Sequence, residues 1–243
     1  MRILIISDIH GNMAALEVVL RTADEQGYDR VWCLGDVVGY GPNPNECVAK
    51  VRDMEALCIA GNHDWAALGK VPLEDFNLDA QRATLWTREQ LTPESVSYLE
   101  ERPQVQVKED FTLVHGSPRH PIWEYIHVPS VAAANFAHFD TPYCLVGHSH
   151  VQVIFRHLDA RQADMSPPSL DAPLALSEER LIINPGSVGQ PRDGDPRASF
   201  AILDQEAGSI RFYRVEYPIG RTQARMMEAD LPSRLAARLA FGW

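Results

Sequence analysis

Cationic side chains are scarce in this chain: 22 Lys and Arg stand against 33 Asp and Glu, for a formal net charge of −11 and a pI near 5.2. That deficit argues against long nucleic acids as substrates, because non-specific affinity for them comes from neutralising phosphates with Lys and Arg. An acidic shell still permits phosphate chemistry where bound divalent cations invert the field locally. Cysteine is equally sparse. The four present, Cys33, Cys47, Cys58 and Cys144, form no C-x-x-C pair, and Cys33, Cys58 and Cys144 sit in apolar strand-like runs, so they read as reduced core residues of a cytoplasmic protein. Long apolar runs are missing too. The N-terminal apolar segment is only a few residues long, too short for a signal peptide or a membrane span, so neither export nor membrane insertion is expected.

What remains is ordinary soluble composition, 45% hydrophobic and 23% charged, in 243 residues with no internal repeat and no linker; a single domain over 1–243 is expected. Strand-like and helical patterns alternate first: Ile3 to Ile6, a helix over 12–26, Val31 to Leu34, a helix over 45–52, Leu57 to Ala60. This βαβαβ order predicts parallel strands. Residues 65–102 read as a helical insertion, with Thr92, Pro93 and Glu94 as a helix start. Strands follow at 105–107, 111–115, 143–146, 151–155, 181–183, 199–203 and 210–215, some close enough for antiparallel pairing, while the proline-rich stretch 157–180 reads as a surface loop. The segment 221–243 predicts two short helices interrupted at Pro232.

The first strand ends in "SDIHGN", where Ser7, Asp8 and Asn12 would serve well as turn and cap residues. Capping explains one such ending. It does not explain all of them: Asp8 and His10 follow the first strand, Asp36 the second, Asn62 and His63 the third, His115 follows "FTLV", and His148 and His150 follow "YCLV". The carboxyl ends of parallel strands share one sheet edge, where open α/β sheets place ligands, so these clusters converge on a metal site.

In this order, D-x-H, G-D, G-N-H-D, a strand-end V-H-G and G-H-S-H resemble the calcineurin-like metallophosphoesterase superfamily, and "NPGSVGQPRD" (184–193) is similar to a segment of its small bacterial and archaeal members. The resemblance implies an α/β fold built as a two-sheet β-sandwich flanked by helices, around two divalent transition-metal ions. Carried over by position, Asp8, His10 and His150 would bind one metal, Asn62, His115 and His148 the other, and Asp36 both. Such donors suit Mn first, or Fe, Zn or Ni, with a hydroxide between the metals to attack phosphorus. His63 would face the substrate as the catalytic acid or transition-state donor.

Departures from the pattern bear on substrate. Protein phosphatases and symmetrical diadenosine tetraphosphatases carry an arginine in G-D-x-V-x-R-G; here "GDVVGYG" puts Tyr40 in that place, and Gly39 where the protein phosphatases have an aspartate. Losing a fixed guanidinium weakens the case for a dianionic monoester and leaves room for a diester. Tyr40 and Arg192 are the candidate substrate contacts, with Arg197 and backbone N–H groups of the 184–197 glycines as further anion donors. His120 is placed at the pocket rim; His127, His138 and His157, and Trp65, Trp86 and Trp123, read as surface or core residues. The expectation is a hydrolase of a small phosphodiester or nucleotide-like molecule, the alternatives being a phosphomonoesterase, a diadenosine polyphosphate hydrolase or a non-catalytic scaffold. Oligomeric state is left open.

Overall fold

The first strand, β1 (Arg2–Ile6), is buried at every residue but Arg2 because it is covered on both faces. Its alternation sorts the cover. Ile3 and Ile5 join a cluster with Leu113, Leu145 and Ile183, whereas Leu4 and Ile6 join one with Leu16, Val19, Val48 and Val51. In this computed structural model, which describes residues 1–177 and 179–243, the first cluster is the seam between two sheets and the second is the seam between a sheet and its helices.

After β1 come α1 (Met13–Gln26), β2 (Arg30–Cys33), α2 (Pro44–Asp53) and the short β3 (Leu57–Cys58). The three strands are parallel, as the βαβαβ order predicts. The insertion carries α3 (Asn62–Ala67), a 3-10 turn at Leu73–Asp75, α4 (Leu78–Gln90) and α5 (Pro93–Glu100), and Thr92 caps α5 by accepting from the Ser95 N–H at 3.3 Å. β4 (Val105–Lys108), β5 (Phe111–Val114), α6 (Pro129–Asn135), β6 (Tyr143–Leu145), β7 (Gln152–Asp159), β8 (Gln162–Ser166), β9 (Leu174–Ala175), β10 (Leu181–Pro185), β11 (Ala198–Asp204) and β12 (Ser209–Val215) follow, then α7 (Ile219–Glu228) and α8 (Ser233–Arg238) on either side of Pro232. One sheet has the order β3-β2-β1-β11-β12-β9 and the other β4-β5-β6-β10-β7-β8. Both are mixed: β1 pairs parallel with β2 and antiparallel with β11, and β10 pairs parallel with β6 and antiparallel with β7.

The expected sandwich with helical outer layers is therefore present, α1 and α2 covering one sheet and α6 the other. The stretch 157–180 is a correction. It holds the end of β7, all of β8 and β9, and before β9 only the turn 160–161 and 167–173 run without regular structure among its described residues. Its strands pair through the local β7–β8 hairpin and the β12–β9 ladder, and these ladder partners override the turn-rich local composition that suggested a loop. All four cysteines are free and buried. No helix among the described residues is long and apolar enough to cross a membrane.

Glycine decides how closely the loops at the sheet edge approach. A Cβ on Gly189 would lie 1.9 Å from the Ile9 carbonyl oxygen, and one on Gly61 would lie 2.0 Å from Asp36 Oδ1, so neither crossing admits a side chain. Gly189→Ala is expected to destabilise the fold by about 1–3 kcal/mol, the usual cost of overpacking. Gly220→Ala, in α7 with nothing within 4 Å of its added methyl, should be neutral or stabilising. Urea unfolding of the two variants measures the contrast.

Candidate metal centre

Six residues at the strand ends hold left-handed backbone angles: Asp8 (φ 53°), His10 (50°), Asp36 (52°), Tyr40 (60°), His148 (63°) and His150 (60°). Such conformations are unfavourable for residues other than glycine and persist where neighbours over-determine them. The neighbours here are loop-to-loop hydrogen bonds. Asp8 N–H donates to the Gly35 carbonyl (3.1 Å), His10 N–H to Asp36 (2.9 Å) and Gly41 N–H back to His10 (3.0 Å). Asn12 does act as the helix cap, accepting from the Ala15 N–H at 3.2 Å, but Asp8 does not; its carboxylate accepts from the His148 N–H at 3.1 and 3.2 Å. The cap in the "SDIHGN" turn is thus Asn12, and Asp8 is turned toward the His148 loop.

Two groups of donor atoms result, Asp8–His10–Asp36–His150 and Asp36–His115–His148, each with its atoms within 4.8 Å of one another and Asp36 common to both. All of these residues are buried. Asn62 joins the second group, its Oδ1 3.1 Å from His115 Nε2.

The imidazoles are oriented by backbone carbonyls, which can only accept. His10 Nδ1 therefore donates to Val38 O (3.1 Å), His115 Nδ1 to Leu34 O (2.7 Å) and His150 Nδ1 to Gln190 O (2.6 Å), which turns each Nε2 inward. His148 is reversed, with Nε2 on the Trp123 carbonyl at 3.2 Å. As a consequence His10 Nε2 and His150 Nε2 face each other at 3.1 Å, lone pair to lone pair, and Asp36 Oδ2 is buried without an aligned hydrogen-bond donor. Acceptors pointed at acceptors in a dry site are stable only around a cation or a proton. The donor set of imidazole, carboxylate and one amide oxygen fits a divalent transition metal.

Electrostatics agree. Burial opposes ionisation of Asp8 and Asp36, but the imidazoles of His150 and His115 respectively outweigh it and hold both carboxyls well below their usual range. Burial holds His10, His148 and His150 below the ordinary imidazole value. His115 is the exception: burial opposes its charge, yet Asp36 at 3.2 Å raises it to about 9, so in the absence of metal a proton sits where a cation fits.

His63 lies outside both groups. Its backbone N–H donates to Asp36 Oδ1 at 2.8 Å, while its ring packs against Tyr40 (4.3 Å), Phe76 (4.9 Å) and His10 (5.0 Å). Its Nδ1 has no partner, and burial, with Asp36 opposing, pushes it down to about 4. A Cβ on Gly39 would sit 2.8 Å from that Nδ1, so the glycine stands where an orienting carboxylate would, and an aromatic cage holds the ring instead. Tyr40 and Arg192 come together beside it, Arg192 Nη2 donating to Tyr40 Oη at 3.4 Å and to Gln190 Oε1 at 2.9 Å.

Other expectations are redistributed. Arg197 pairs with Asp195 at 2.6 Å, and the N–H groups of Gly186, Gly189 and Gly194 are taken by Asn184 Oδ1, Asp8 O and Gly242 O, so these do not serve an anion. The 184–190 segment instead braces the ligand loops: Asn184 Nδ2 donates to Gly147 O (2.6 Å) and Ser187 Oγ to Asp8 O (2.8 Å). His120 is exposed with its backbone N–H on Ser117, whereas His127 stacks on Tyr125, which stacks on His148 at 3.8 Å. Sequence reading missed Asp64, which is buried and accepts from Val38 N–H (3.1 Å) and Gly61 N–H (3.0 Å), with burial and the Asp36 charge pushing its carboxyl up to about 7. Its place three residues after Gly61, at N3 of α3, was the available signal. Phe76 and Tyr125 had none.

Comparison with known proteins agrees with this geometry. A family model described as the calcineurin-like phosphoesterase superfamily domain matches residues 1–208. An uncharacterized protein of Methanocaldococcus jannaschii is 38% identical over 246 residues, covering 99% of this chain and 98% of its own. The crystal structure of a metallophosphoesterase from Sphaerobacter thermophilus superposes with a TM-score of 0.91 at 52% identity, over 100% of this chain and 99% of that one. A symmetrical bis(5'-nucleosyl)-tetraphosphatase of Cronobacter sakazakii is 30% identical over 113 residues, 45% of this chain and 40% of that enzyme.

Proposed function

The chain belongs to the calcineurin-like phosphoesterase superfamily, and from that premise we propose that it hydrolyses a small phosphodiester or nucleotide-like compound using two divalent transition-metal ions, manganese foremost. The observation that carries this reading is the pair of donor groups meeting at Asp36 with their lone pairs turned toward each other. Asp8, His10 and His150 would hold one ion, Asn62, His115 and His148 the other, and Asp36 both. When bound, such a pair supplies an activated water and neutralises the non-bridging phosphate oxygens. The protein's own part is positional: His63 faces the reacting phosphate from outside the ligand set, held by its backbone bond to Asp36 and by the aromatic cage.

Tyr40 offers a neutral hydroxyl and a ring where a monoesterase would present a guanidinium, which favours a singly charged diester. Bis-(p-nitrophenyl) phosphate should therefore be hydrolysed at higher kcat/KM than p-nitrophenyl phosphate, and Tyr40→Arg should shift the ratio toward the monoester. The comparison is repeated with a nucleotide monoester and a cyclic or linear nucleotide diester. Preference for monoesters in both pairs would replace the diesterase reading by a phosphatase one. A second reading, hydrolysis of a dinucleoside polyphosphate, draws on Arg192, which brings a guanidinium to Tyr40 from another loop, and on the partial similarity to the Cronobacter enzyme. Diadenosine tetraphosphate in the same panel tests it.

A further inference from the structure

Beside the candidate metal centre lies a cavity of about 930 Å³ that none of the candidate metal ligands lines. Phe76 and Leu78 form one wall, and Arg234, Arg238, Phe241 and Trp243 the other. It adjoins the reacting site through Phe76, which lines the cavity and meets the His63 ring at 4.9 Å.

Two features of this cavity bear on what it could hold. The first is aromatic. Phe241 and Trp243 stack on each other at 4.9 Å while remaining 54% and 64% exposed, and Leu78 opposite is 76% exposed. This is not a frayed end. Gly194 N–H donates to the Gly242 carbonyl at 3.0 Å, a Cβ on Gly242 would be 2.7 Å from the Asp195 carbonyl carbon, and Arg238 Nε donates to the Trp243 carbonyl. The aromatic shelf is thus docked on the loop that carries Arg192. Grouped apolar surface held rigidly in water marks a binding site.

The second is cationic. Nearby arginines are paired, Arg197 and Arg214 with Asp195 and Asp193, and Arg225 with Glu46. Arg192 and Arg234 pair with no side-chain carboxylate among the described residues; the side-chain contacts of Arg192 are Gln190 and Tyr40, and Arg238 Nε donates to the main-chain oxygen of Trp243. Arg238 registers the crowding: burial and then the charges of Arg192 and Arg234 push its guanidinium down to about 10. In a chain of net charge −11, two guanidiniums lining one cavity, with Arg192 close enough outside it to lower Arg238 and none of the three on a side-chain carboxylate among the described residues, suit an anion.

We propose that this cavity is the subsite for the organic part of the substrate and that this part is a nucleotide, its base lying on the Phe241–Trp243 shelf and its phosphates running along Arg234, Arg238 and Arg192 toward the metal centre. The inference rests on the phosphoester-hydrolase reading above and narrows its substrate class. A nucleotide combines a planar π-face with neighbouring negative charge, and base–aromatic stacking tolerates any base. Asp79, also on the α4 wall, supplies an acceptor for ribose hydroxyls.

Calorimetric titration of metal-free protein with ADP, adenosine and inorganic pyrophosphate tests the subsite apart from catalysis. ADP should bind saturably, with adenosine and pyrophosphate each at least about tenfold weaker because each offers one of the two features. Trp243→Ala and Arg234→Glu should each weaken ADP by about tenfold or more, in line with the loss of one stacking or charge contact. Both side chains are exposed, so the fold does not depend on them. Absence of ADP binding, or binding unaltered in both variants, overturns the proposal. ADP binding without hydrolysis of any ester after metal loading would keep the subsite and remove the hydrolase reading; hydrolysis of aryl diesters without ADP binding would do the reverse.

Discussion

His63→Ala is expected to retain the metal content of the wild-type protein and to lower kcat by about 10²–10⁴-fold, the range typical of acid–base catalysis. The two halves of that result come from different atoms of one residue. The backbone N–H, which donates to Asp36 Oδ1, survives the substitution, so the shared carboxylate keeps its orientation. The ring, which contacts Tyr40, Phe76 and His10 but is in neither donor group, is what disappears. With its pKa pushed down to about 4, His63 is a neutral imidazole in the resting protein, suited to donate a hydrogen bond from one nitrogen while the other stays bare. Loss of metal together with activity would make His63 a ligand; full activity would make it structural. Elemental analysis and steady-state kinetics on the same preparation separate these outcomes.

Asp36→Asn should have the other large effect, on stoichiometry rather than on rate alone. Asparagine retains an oxygen for the His63 N–H but removes the charge that both donor groups share. Metal content after reconstitution should fall from two per chain to one or fewer, with a loss of affinity beyond the roughly 10–100-fold that follows removal of an outer-shell partner. The metal-free variant should also release its proton from His115 more readily, since the Asp36 charge is what raises that pKa to about 9; titration of the His115 ring by NMR reads this directly. One metal in the wild type, unchanged in the variant, would end the two-ion model.

The candidate donor positions were legible because each sits where a predictable strand stops. Alternation located β1 and β2, topology put their carboxyl ends on one edge, and Asp8, His10 and Asp36 followed. The groups that aim the ligands were not legible. Leu34, Val38, Trp123 and Gln190 act through carbonyl oxygens, which every residue possesses, so no residue type marks them. Phe76 reaches His63 from a remote turn, across a cluster joining α3 and α4 to α7 and α8 that forms only on tertiary packing, and Phe241 and Trp243 line the cavity on its other side. β8 and β9 escaped notice for a related reason: their partners lie in β7 and β12, and a strand two to five residues long among prolines has no periodicity of its own.

The left-handed turns at Asp8, His10, Asp36, His148 and His150 also restrict what substitution can do there, whatever the fate of the metal. Histidine, aspartate, asparagine and glycine enter that region of backbone space most readily, whereas valine, isoleucine and threonine are outliers in it. The alphabet open to these five sites is therefore short before any coordination chemistry is considered. A descendant that no longer needed the ions would drift among the same few letters, and its strand ends would continue to spell something close to the motif. Agreement at these positions testifies first to the shape of the turn; the inward Nε2 atoms, fixed by carbonyls from other loops, testify to the chemistry.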